Sequence, residues 1–176
     1  SIAIFGMGGV GMAAVMAAKI AGCGRIVAID RLPERLAMAQ ELGATEGINA
    51  SEANAQEVLL ASGGVNFTLE ATGVPAVLEQ AIKVLTTRGI CGGVGGPPPD
   101  ATLTLNILSD MFGKSIVGVV EGDSNPNELI PQLVEYYLAG NFPIDRLIKR
   151  YPFGDFAQAF ADARSGATIK PVLVMG

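Results

Sequence analysis

Residues 1–30 of the chain read SIAIFGMGGVGMAAVMAAKIAGCGRIVAID. The apolar run Ile2–Phe5 predicts a strand that is buried on both faces. Glycines with the spacing G-x-G-x-x-G follow at Gly6–Gly11, and Met12–Ala21 has the composition of a helix. A second apolar run then ends at Asp30. This order of strand, glycine turn, helix, strand and acid is the one that a dinucleotide-binding fingerprint requires.

The glycine turn is the predicted site for a diphosphate, and each of its positions has an expected role. Gly6 permits a tight turn, Gly8 lets the backbone approach a pyrophosphate, and Gly11 lets the helix lie close to the strand. The first N–H groups of the helix, at Gly9 and Val10, face the anion with the positive end of the helix dipole behind them.

The carboxylate of Asp30 is predicted to accept hydrogen bonds from the two adenosine ribose hydroxyls. A carboxylate there would repel a 2′-phosphate, so the sequence favours NAD over NADP as the cofactor. Arg31 and Arg35 follow on the same segment and weaken that preference. Each arginine is either a solvated surface charge or a contact of the adenosine, with Arg31 packed on the adenine and Arg35 reaching the ribose.

A methyltransferase is the main competing interpretation, because it also combines a glycine turn with an acid at the end of the second strand. Its loop has a different glycine pattern and an acid close to the first strand. Ile2–Phe5 contains no acid, so the pattern favours a dinucleotide.

Composition narrows the class of protein. With 176 residues, 49% of them hydrophobic and 16% charged, the chain suits one domain with a sizeable core and an appendage. A net charge of −5 argues against a nucleic-acid partner. The apolar runs are too short, or too interrupted, to span a bilayer, so no membrane partner is expected.

The chain contains no histidine and only two cysteines, Cys23 and Cys91. This excludes Ser-His-Asp and Cys-His catalysis within the chain and argues against a zinc site in it. The two thiols are interpreted as small buried hydrophobes rather than a disulfide. No signal peptide is visible, and a cytoplasmic location is expected.

Beyond Asp30, strand-like and helix-like runs alternate up to a helix at Asn127–Ala139. The alternation predicts an α/β fold, a Rossmann doubly wound parallel six-stranded sheet with helices on both faces, followed by a C-terminal strand-helix-strand segment. The predicted domains are 1–140 for the dinucleotide and 141–176 for that segment. Ligands of such sheets lie at the carboxyl ends of the strands, which adds Thr72, Gly73, Val94 and Gly95 to the candidate site. One helix in this region is predicted to begin at a Ser51 cap and to run to about Leu60, and another to run from Ala76 to Leu85.

Several motifs together resemble those of the zinc-dependent medium-chain alcohol dehydrogenases. Val119–Gly122 is most similar to the aryl- or benzyl-alcohol branch of that family. The resemblance covers the whole chain in order, through Gly6–Gly11, Asp30, Glu70–Gly73, Val94–Pro98, Gly113–Ser115, Arg164–Gly166 and Lys170–Pro171.

The resemblance implies that the chain is incomplete as an enzyme. Members of the family carry their zinc ligands, which are cysteines, a histidine and often a carboxylate, in a catalytic domain that precedes the coenzyme domain. Nothing in this sequence matches those ligands. The chain is therefore expected to be the coenzyme-binding fragment of an enzyme that transfers a hydride between an alcohol and NAD. On its own, the fragment is expected to bind NAD and to catalyse nothing.

The resemblance also implies roles for single residues and a partner. A homodimer is implied through the edge segment at Leu103–Leu105. A non-enzymatic NAD-sensing module and a zinc-independent quinone reductase relative are the alternatives. The implied contacts are Gly9 and Val10 with the pyrophosphate, Asp30 and Arg35 with the ribose, Arg31 and Thr72 with the adenine, and backbone groups of Val94 and Val119 with the nicotinamide carboxamide.

Overall fold

A computed structural model describes residues 1–176, and the chain divides into two compact units, Ser1–Leu129 and Ile130–Gly176. The first unit contains six strands, β1 to β6, and four helices, α1 to α4. Helix α5, Pro126–Leu138, contributes residues to both units. No helix in the structure is both long enough and apolar enough to cross a membrane.

The elements of the first unit alternate along the chain. The strands are β1 Ile2–Phe5, β2 Ile26–Asp30, β3 Glu46–Asn49, β4 Val65–Glu70, β5 Leu85–Gly93 and β6 Ser115–Gly118. The helices are α1 Gly9–Ile20, α2 Pro33–Leu42, α3 Ala55–Ala61 and α4 Pro75–Lys83, and one further helical turn covers Ile107–Met111.

All six strands are parallel and lie in the order β3-β2-β1-β4-β5-β6. This confirms the predicted doubly wound sheet. The chain reverses its direction of travel across the sheet between β1 and β4, and a crevice opens at such a switch point at the carboxyl ends of the strands. The glycine turn after β1 lies at this point.

Strands β1 and β2 are apolar on both faces because helices cover both. Successive side chains of a strand point to opposite faces. Phe5 and Val27 belong to the core cluster that contains Leu59 of α3 and Ile82 of α4. Ile4 lies on the opposite face, is completely buried, and belongs to the strand that α1 contacts. Full burial of each such side chain stabilises the fold by about 1.5–3 kcal/mol.

Strand β6 differs from the central strands. It forms the outer edge of the sheet and pairs only with β5. All four of its residues, Ser115–Gly118, are exposed.

Two helix boundaries differ from the prediction. Helix α3 is capped by Asn54 rather than Ser51, because the Asn54 Oδ1 atom accepts hydrogen bonds from the backbone N–H groups of Gln56 and Glu57. Helix α4 stops at Lys83, and Leu85 begins β5.

A lysine from another part of the chain satisfies the end of α4. The Nζ atom of Lys114 donates to the carbonyl oxygens of Ile82 (3.0 Å) and Lys83 (3.3 Å). The last carbonyl groups of a helix have no intrahelical hydrogen-bond donors. A basic side chain near the helix end can donate to them instead. Burial lowers the pKa of Lys114, although nearby Asp110 opposes this shift.

The second unit contains the predicted strand-helix-strand segment. Strands β7, Ile148–Pro152, and β8, Lys170–Val174, are parallel, and helix α6, Phe156–Ser165, connects them. The buried Tyr151 hydroxyl donates to Asp162 Oδ2 (2.6 Å) and lies 2.8 Å from Thr168 Oγ1. These contacts link β7, α6 and the segment before β8.

Candidate dinucleotide-binding site

The turn between β1 and α1 leaves an open space at the start of the helix. Gly6 has a φ of +93°, which glycine adopts without strain. Gly8 is the N-cap of α1 and has no side chain to satisfy the first helical N–H groups. A Cβ atom built on Gly8 or Gly9 would meet no other atom within 4 Å. The N-terminus of α1 therefore faces a space that a ligand anion can enter, and the side chain of Val10 is half exposed beside it.

Gly11 lies at the closest contact between the helix and the turn. A Cβ atom there would lie 1.8 Å from the carbonyl oxygen of Gly6 and 2.9 Å from its carbonyl carbon. Both neighbours are backbone atoms, which cannot rotate away. Only glycine permits α1 to begin this close to β1.

The carboxylate of Asp30 ties the end of β2 to the glycine turn. Its Oδ2 atom accepts the Met7 N–H (2.6 Å), and its Oδ1 atom accepts the N–H groups of Arg31 (2.7 Å) and Leu32 (3.0 Å). Asp30 is only half buried, and a carboxylate has about four lone-pair sites. The carboxylate can therefore shape the turn and also accept bonds from ligand hydroxyls. The sequence analysis gave it only the second role.

The loop after β4 meets the same turn. A Cβ atom on Gly6 would lie 2.7 Å from the Thr72 Cγ2 atom. The Ala71 N–H donates to the carbonyl oxygen of Phe5 (2.9 Å). The structure thus brings together the carboxyl ends of β1, β2 and β4, with Asp30 and Thr72 on either side of the glycine turn.

Glu70 is a residue of this region to which the sequence analysis gave no role. It ends β4 and is 1% exposed. Its Oε1 atom accepts the N–H groups of Thr72 (2.6 Å) and Gly73 (3.1 Å) and also the Thr72 hydroxyl. An acid that ends an apolar strand just before Thr72 and Gly73 is the signal that could have identified it, because such an acid can bond the donors that follow.

The loop after β5 is hydrogen-bonded to Glu70. The N–H groups of Val94 (2.9 Å) and Gly95 (3.0 Å) donate to the Glu70 carbonyl oxygen, and the Val119 N–H donates to Gly93 (2.9 Å). Since these amides already have acceptors, any contact of Val94 or Val119 with a carboxamide would use their carbonyl groups.

An apolar cavity of about 290 Å³ adjoins the same loop. Its walls come from the start of α4, the ends of β5 and β6 and the segment after β5, and Glu70 lies in its lining. The residues that border it on the loop are Gly95 and Pro97.

The two predicted arginine contacts lie close to Asp30 in the chain. Arg31 is exposed immediately after the strand, and Arg35 is half buried in the first turn of α2. The geometry leaves both interpretations of these arginines open.

The donor set of the chain does not fit a zinc ion. The chain has no histidine, its cysteines Cys23 and Cys91 are separate free thiols, and no group of three or more metal-ligating side chains comes together. The glycine turn, by contrast, fits a dinucleotide, because the space at Gly8 and Gly9 is one that a Cβ atom would fill.

Comparison with known proteins gives a consistent result. The sequence pattern of the zinc-binding dehydrogenases matches residues 9–137. A crystal structure of an alcohol dehydrogenase zinc-binding domain protein from Burkholderia ambifaria is 49% identical with a TM-score of 0.96, and the match covers 100% of this chain and 48% of that one.

Two further relatives have more specific names. Benzyl alcohol dehydrogenase from Acinetobacter calcoaceticus is 39% identical with a TM-score of 0.96, over 100% of this chain and 49% of its own. Geraniol dehydrogenase from Castellaniella defragrans is 39% identical over 99% of this chain and 48% of its own length. The chain spans about half the length of each of these relatives.

Proposed function

The chain belongs to the family of zinc-binding dehydrogenases, and from that premise we propose that it is the NAD-binding part of an alcohol dehydrogenase. In the whole enzyme a hydride passes between an alcohol, which can be aromatic, and NAD. The likeness to benzyl alcohol and geraniol dehydrogenases supports an alcohol as the substrate. The zinc ligands of the whole enzyme are proposed to come from outside these 176 residues.

The observation that carries the proposal is the position of the Asp30 carboxylate. Its Oδ2 atom accepts the N–H of Met7 (2.6 Å), a residue of the glycine turn that directly precedes the open positions at Gly8 and Gly9. A dinucleotide carries a ribose next to its pyrophosphate. One bound molecule can therefore meet the carboxylate and the start of α1 at the same time.

The adenosine half of NAD is assigned to the glycine turn between β1 and α1. Gly9 and Val10 donate their N–H groups to the pyrophosphate, while Gly8 allows the close approach. Asp30 accepts the ribose hydroxyls and repels a 2′-phosphate, which selects NAD over NADP. Arg31 and Thr72 are proposed to flank the adenine and Arg35 to reach the ribose.

The nicotinamide half is assigned to the loops after β5 and β6. Gly73 and Gly95 line the crevice there, and carbonyl groups of Val94 and Val119 orient the carboxamide. Bound NAD supplies the carbon that accepts the hydride. The residues of this chain bind that cofactor and orient it.

Oligomeric state, location and domain roles are further parts of the proposal. A homodimer through Leu103–Leu105 is supported by the exposed Leu103 side chain and by the absence of a strand partner for this segment. A cytoplasmic location is supported by the free thiols Cys23 and Cys91. Residues 141–176 are proposed to pack on a catalytic domain, which is consistent with the exposed rings of Phe153, Phe156 and Phe160.

Titration calorimetry with NAD+ and NADP+ tests the cofactor assignment. The wild-type chain is expected to bind NAD+ more tightly. The Asp30→Ala variant is expected to lose about 10–100-fold of the NAD+ affinity, because hydrogen bonds to a charged group contribute about 1.5–3 kcal/mol.

Two further variants make this test specific. Asp30→Asn preserves the size of the side chain and separates the loss of charge from a disturbed turn. Asp145→Ala, at an exposed position of the second unit, should bind like the wild type. Tighter binding of NADP+ by the wild-type chain would contradict the assignment.

A further inference from the structure

Strands β4 and β5 have one buried face and one open face. On the buried face, the Thr68 hydroxyl donates to the carbonyl oxygen of Ala81 in α4 (3.0 Å), and Cys91 belongs to the core cluster. Because successive side chains of a strand point to opposite faces, Phe67 and Ile90 lie on the other face. These two residues are neighbours in the sheet register and are 45% and 40% exposed.

The open face is a continuation of the face that α1 covers. Leu69 of β4 pairs with Ile4 of β1 on one side and with Gly92 of β5 on the other, and Gly92 pairs with Val117 of β6. Ile4 is completely buried and belongs to the strand that α1 contacts, whereas Val117 is 44% exposed. The preceding row of the register consists of Ile2, Phe67, Ile90 and Ser115. Neither row contains a charged side chain.

The surroundings of this face indicate what kind of element can cover it. Strand β4 pairs with β1 and β5, and β5 pairs with β4 and β6, so neither has a free edge for a further strand. An added element must therefore pack on the face, and helices are the elements that cover the faces of parallel sheets. A charge from that element would be buried without a counter-ion, which is costly. The contacting side must consequently be apolar.

The source of such a helix follows from the length of the relatives. The chain spans about half the length of the relatives that it matches, and the proposed function places the zinc ligands outside these 176 residues. A contiguous apolar surface on a soluble protein marks a site of contact. The remaining part of the whole enzyme is the partner that is always present.

We propose that the open face of β4, β5 and β6 is the docking surface for an α-helix from the catalytic part of the whole enzyme. The helix extends the layer that α1 begins, and its apolar residues, spaced three and four apart, pack on Phe67, Ile90 and Val117. The backbone at Gly92 permits close approach because it carries no side chain. This inference rests on the proposed function and adds to it an interface in the first unit.

Thiol labelling of the 176-residue chain and of the full-length enzyme encoded by the same gene tests the proposal. Both proteins carry Cys23→Ser, which removes the partly exposed thiol, while Cys91 is completely buried. Ile90→Cys then places a thiol on the open face. Val58→Cys is the matched control, because Val58 on α3 is 41% exposed. Reaction with a maleimide is followed by mass spectrometry.

The expected result is protection of the open face in the full-length enzyme only. There Ile90→Cys should react at least about tenfold more slowly than in the 176-residue chain, because the covering helix must first open locally. Val58→Cys should react at the same rate in both proteins. Equal rates for Ile90→Cys in the two proteins would overturn the inference. Protection that disappears on dilution of the full-length enzyme would assign the face to a second copy and would also overturn it.

Hydrogen exchange identifies the covering element. Phe67→Asp places a charge on the open face, so in the full-length enzyme a helical peptide from outside these 176 residues should exchange at least about tenfold faster than in the wild type. Its apolar residues should be spaced three and four apart. Loss of protection confined to the 176 residues, or found in a peptide without that spacing, would contradict the proposal.

The cofactor titration separates this inference from the proposed function. Failure of the wild-type chain to bind NAD+ would overturn the proposed function, and the labelling rates do not depend on the cofactor. If the chain binds NAD+ and Ile90→Cys is unprotected in the full-length enzyme, only the docking surface is wrong.

Discussion

Asp30 and Glu70 end strands β2 and β4 of the same sheet, but their carboxylates have different surroundings. Asp30 ends β2, is half buried, and accepts one N–H from a neighbouring turn, that of Met7. Glu70 ends β4, is fully buried, and its side chain bonds only Thr72 and Gly73, just after it in the chain. A half-exposed carboxylate can still receive a ligand, whereas a buried one can only arrange the protein around it.

A glycine in contact with backbone atoms accompanies each acid. Gly11 lies against Gly6 in the turn that Asp30 fixes, and Gly95 lies against Gly73 in the loops that Glu70 fixes. The two regions differ in what surrounds the contact. The first is part of a packed core, while the second borders a cavity. Substitutions at the two glycines therefore measure how rigid each region is.

The largest effect is expected at Gly11. In Gly11→Ala the Cβ atom would lie 1.8 Å from the Gly6 carbonyl oxygen. The start of α1 must then move away from β1, and the free energy of unfolding should fall by about 3 kcal/mol. Urea unfolding followed by circular dichroism measures it.

The control for Gly11→Ala is a second glycine on the same helix. In Gly9→Ala the new methyl group meets no atom within 4 Å, and alanine favours the helix. Its free energy of unfolding should change by less than about 0.5 kcal/mol. Equal stability of the two variants would show that the contact at Gly11 does not limit packing.

A smaller loss is expected in the loops beside Glu70. In Gly95→Ala the Cβ atom would lie 2.1 Å from the Gly73 nitrogen, but the adjoining cavity gives the loop room to shift. The free energy of unfolding should therefore fall by about 2 kcal/mol. The same urea titration measures it. Gly96→Ala is the control, since its Cβ atom would meet nothing within 4 Å. A loss at Gly95 as large as that at Gly11 would remove the distinction between the regions.

The smallest effect on the free energy of unfolding is expected at Asp162, an acid of the second unit, and it should depend on pH. The Tyr151 hydroxyl above all, and then Lys149 and Gln158, lower the pKa of Asp162 to about 2. The pKa of Asp162 is lower in the folded chain than its unfolded value of about 3.9. The ionised carboxylate therefore stabilises the fold above that pH, and this stabilisation is lost as the pH falls through about 2.

Asp162→Asn tests this signature. At pH 6 the variant should be slightly less stable than the wild type, and the difference should shrink as the pH falls from 4 towards 2. Urea unfolding at several pH values, monitored by tyrosine fluorescence, measures the difference. A difference that stays constant with pH would contradict the assigned hydrogen bonds.

The sequence predicted what depends on local patterns. The strand Ile2–Phe5, the glycine turn and the acid Asp30 lie within one short segment, and the alternation of strands and helices that follows it predicted the parallel doubly wound sheet that the structure confirms. The roles of Gly8, Asp30 and the other candidate ligand contacts stay predictions until the titrations are done.

The features that the sequence did not predict depend on contacts between distant segments. Leu85 continues the apolar pattern of α4, but it pairs with Val65 of β4, and Lys114, from beyond β5, donates to the last carbonyl groups of the helix. Ser51 and Asn54 are both acceptable caps, and hydrogen bonding selects the second. Glu70 resembles any acid at the end of a strand until the packing of Gly95 against it is known.

The exposed edge strand β6 has a consequence for handling the protein in solution. Its backbone can add a foreign strand, and only electrostatic repulsion between molecules opposes such encounters. That repulsion vanishes near the isoelectric point of about 4.7. Acid titrations cross this value, so dilute samples are needed to limit association. The shortness of β6, four residues ending at Gly118, limits how firmly such aggregates can grow.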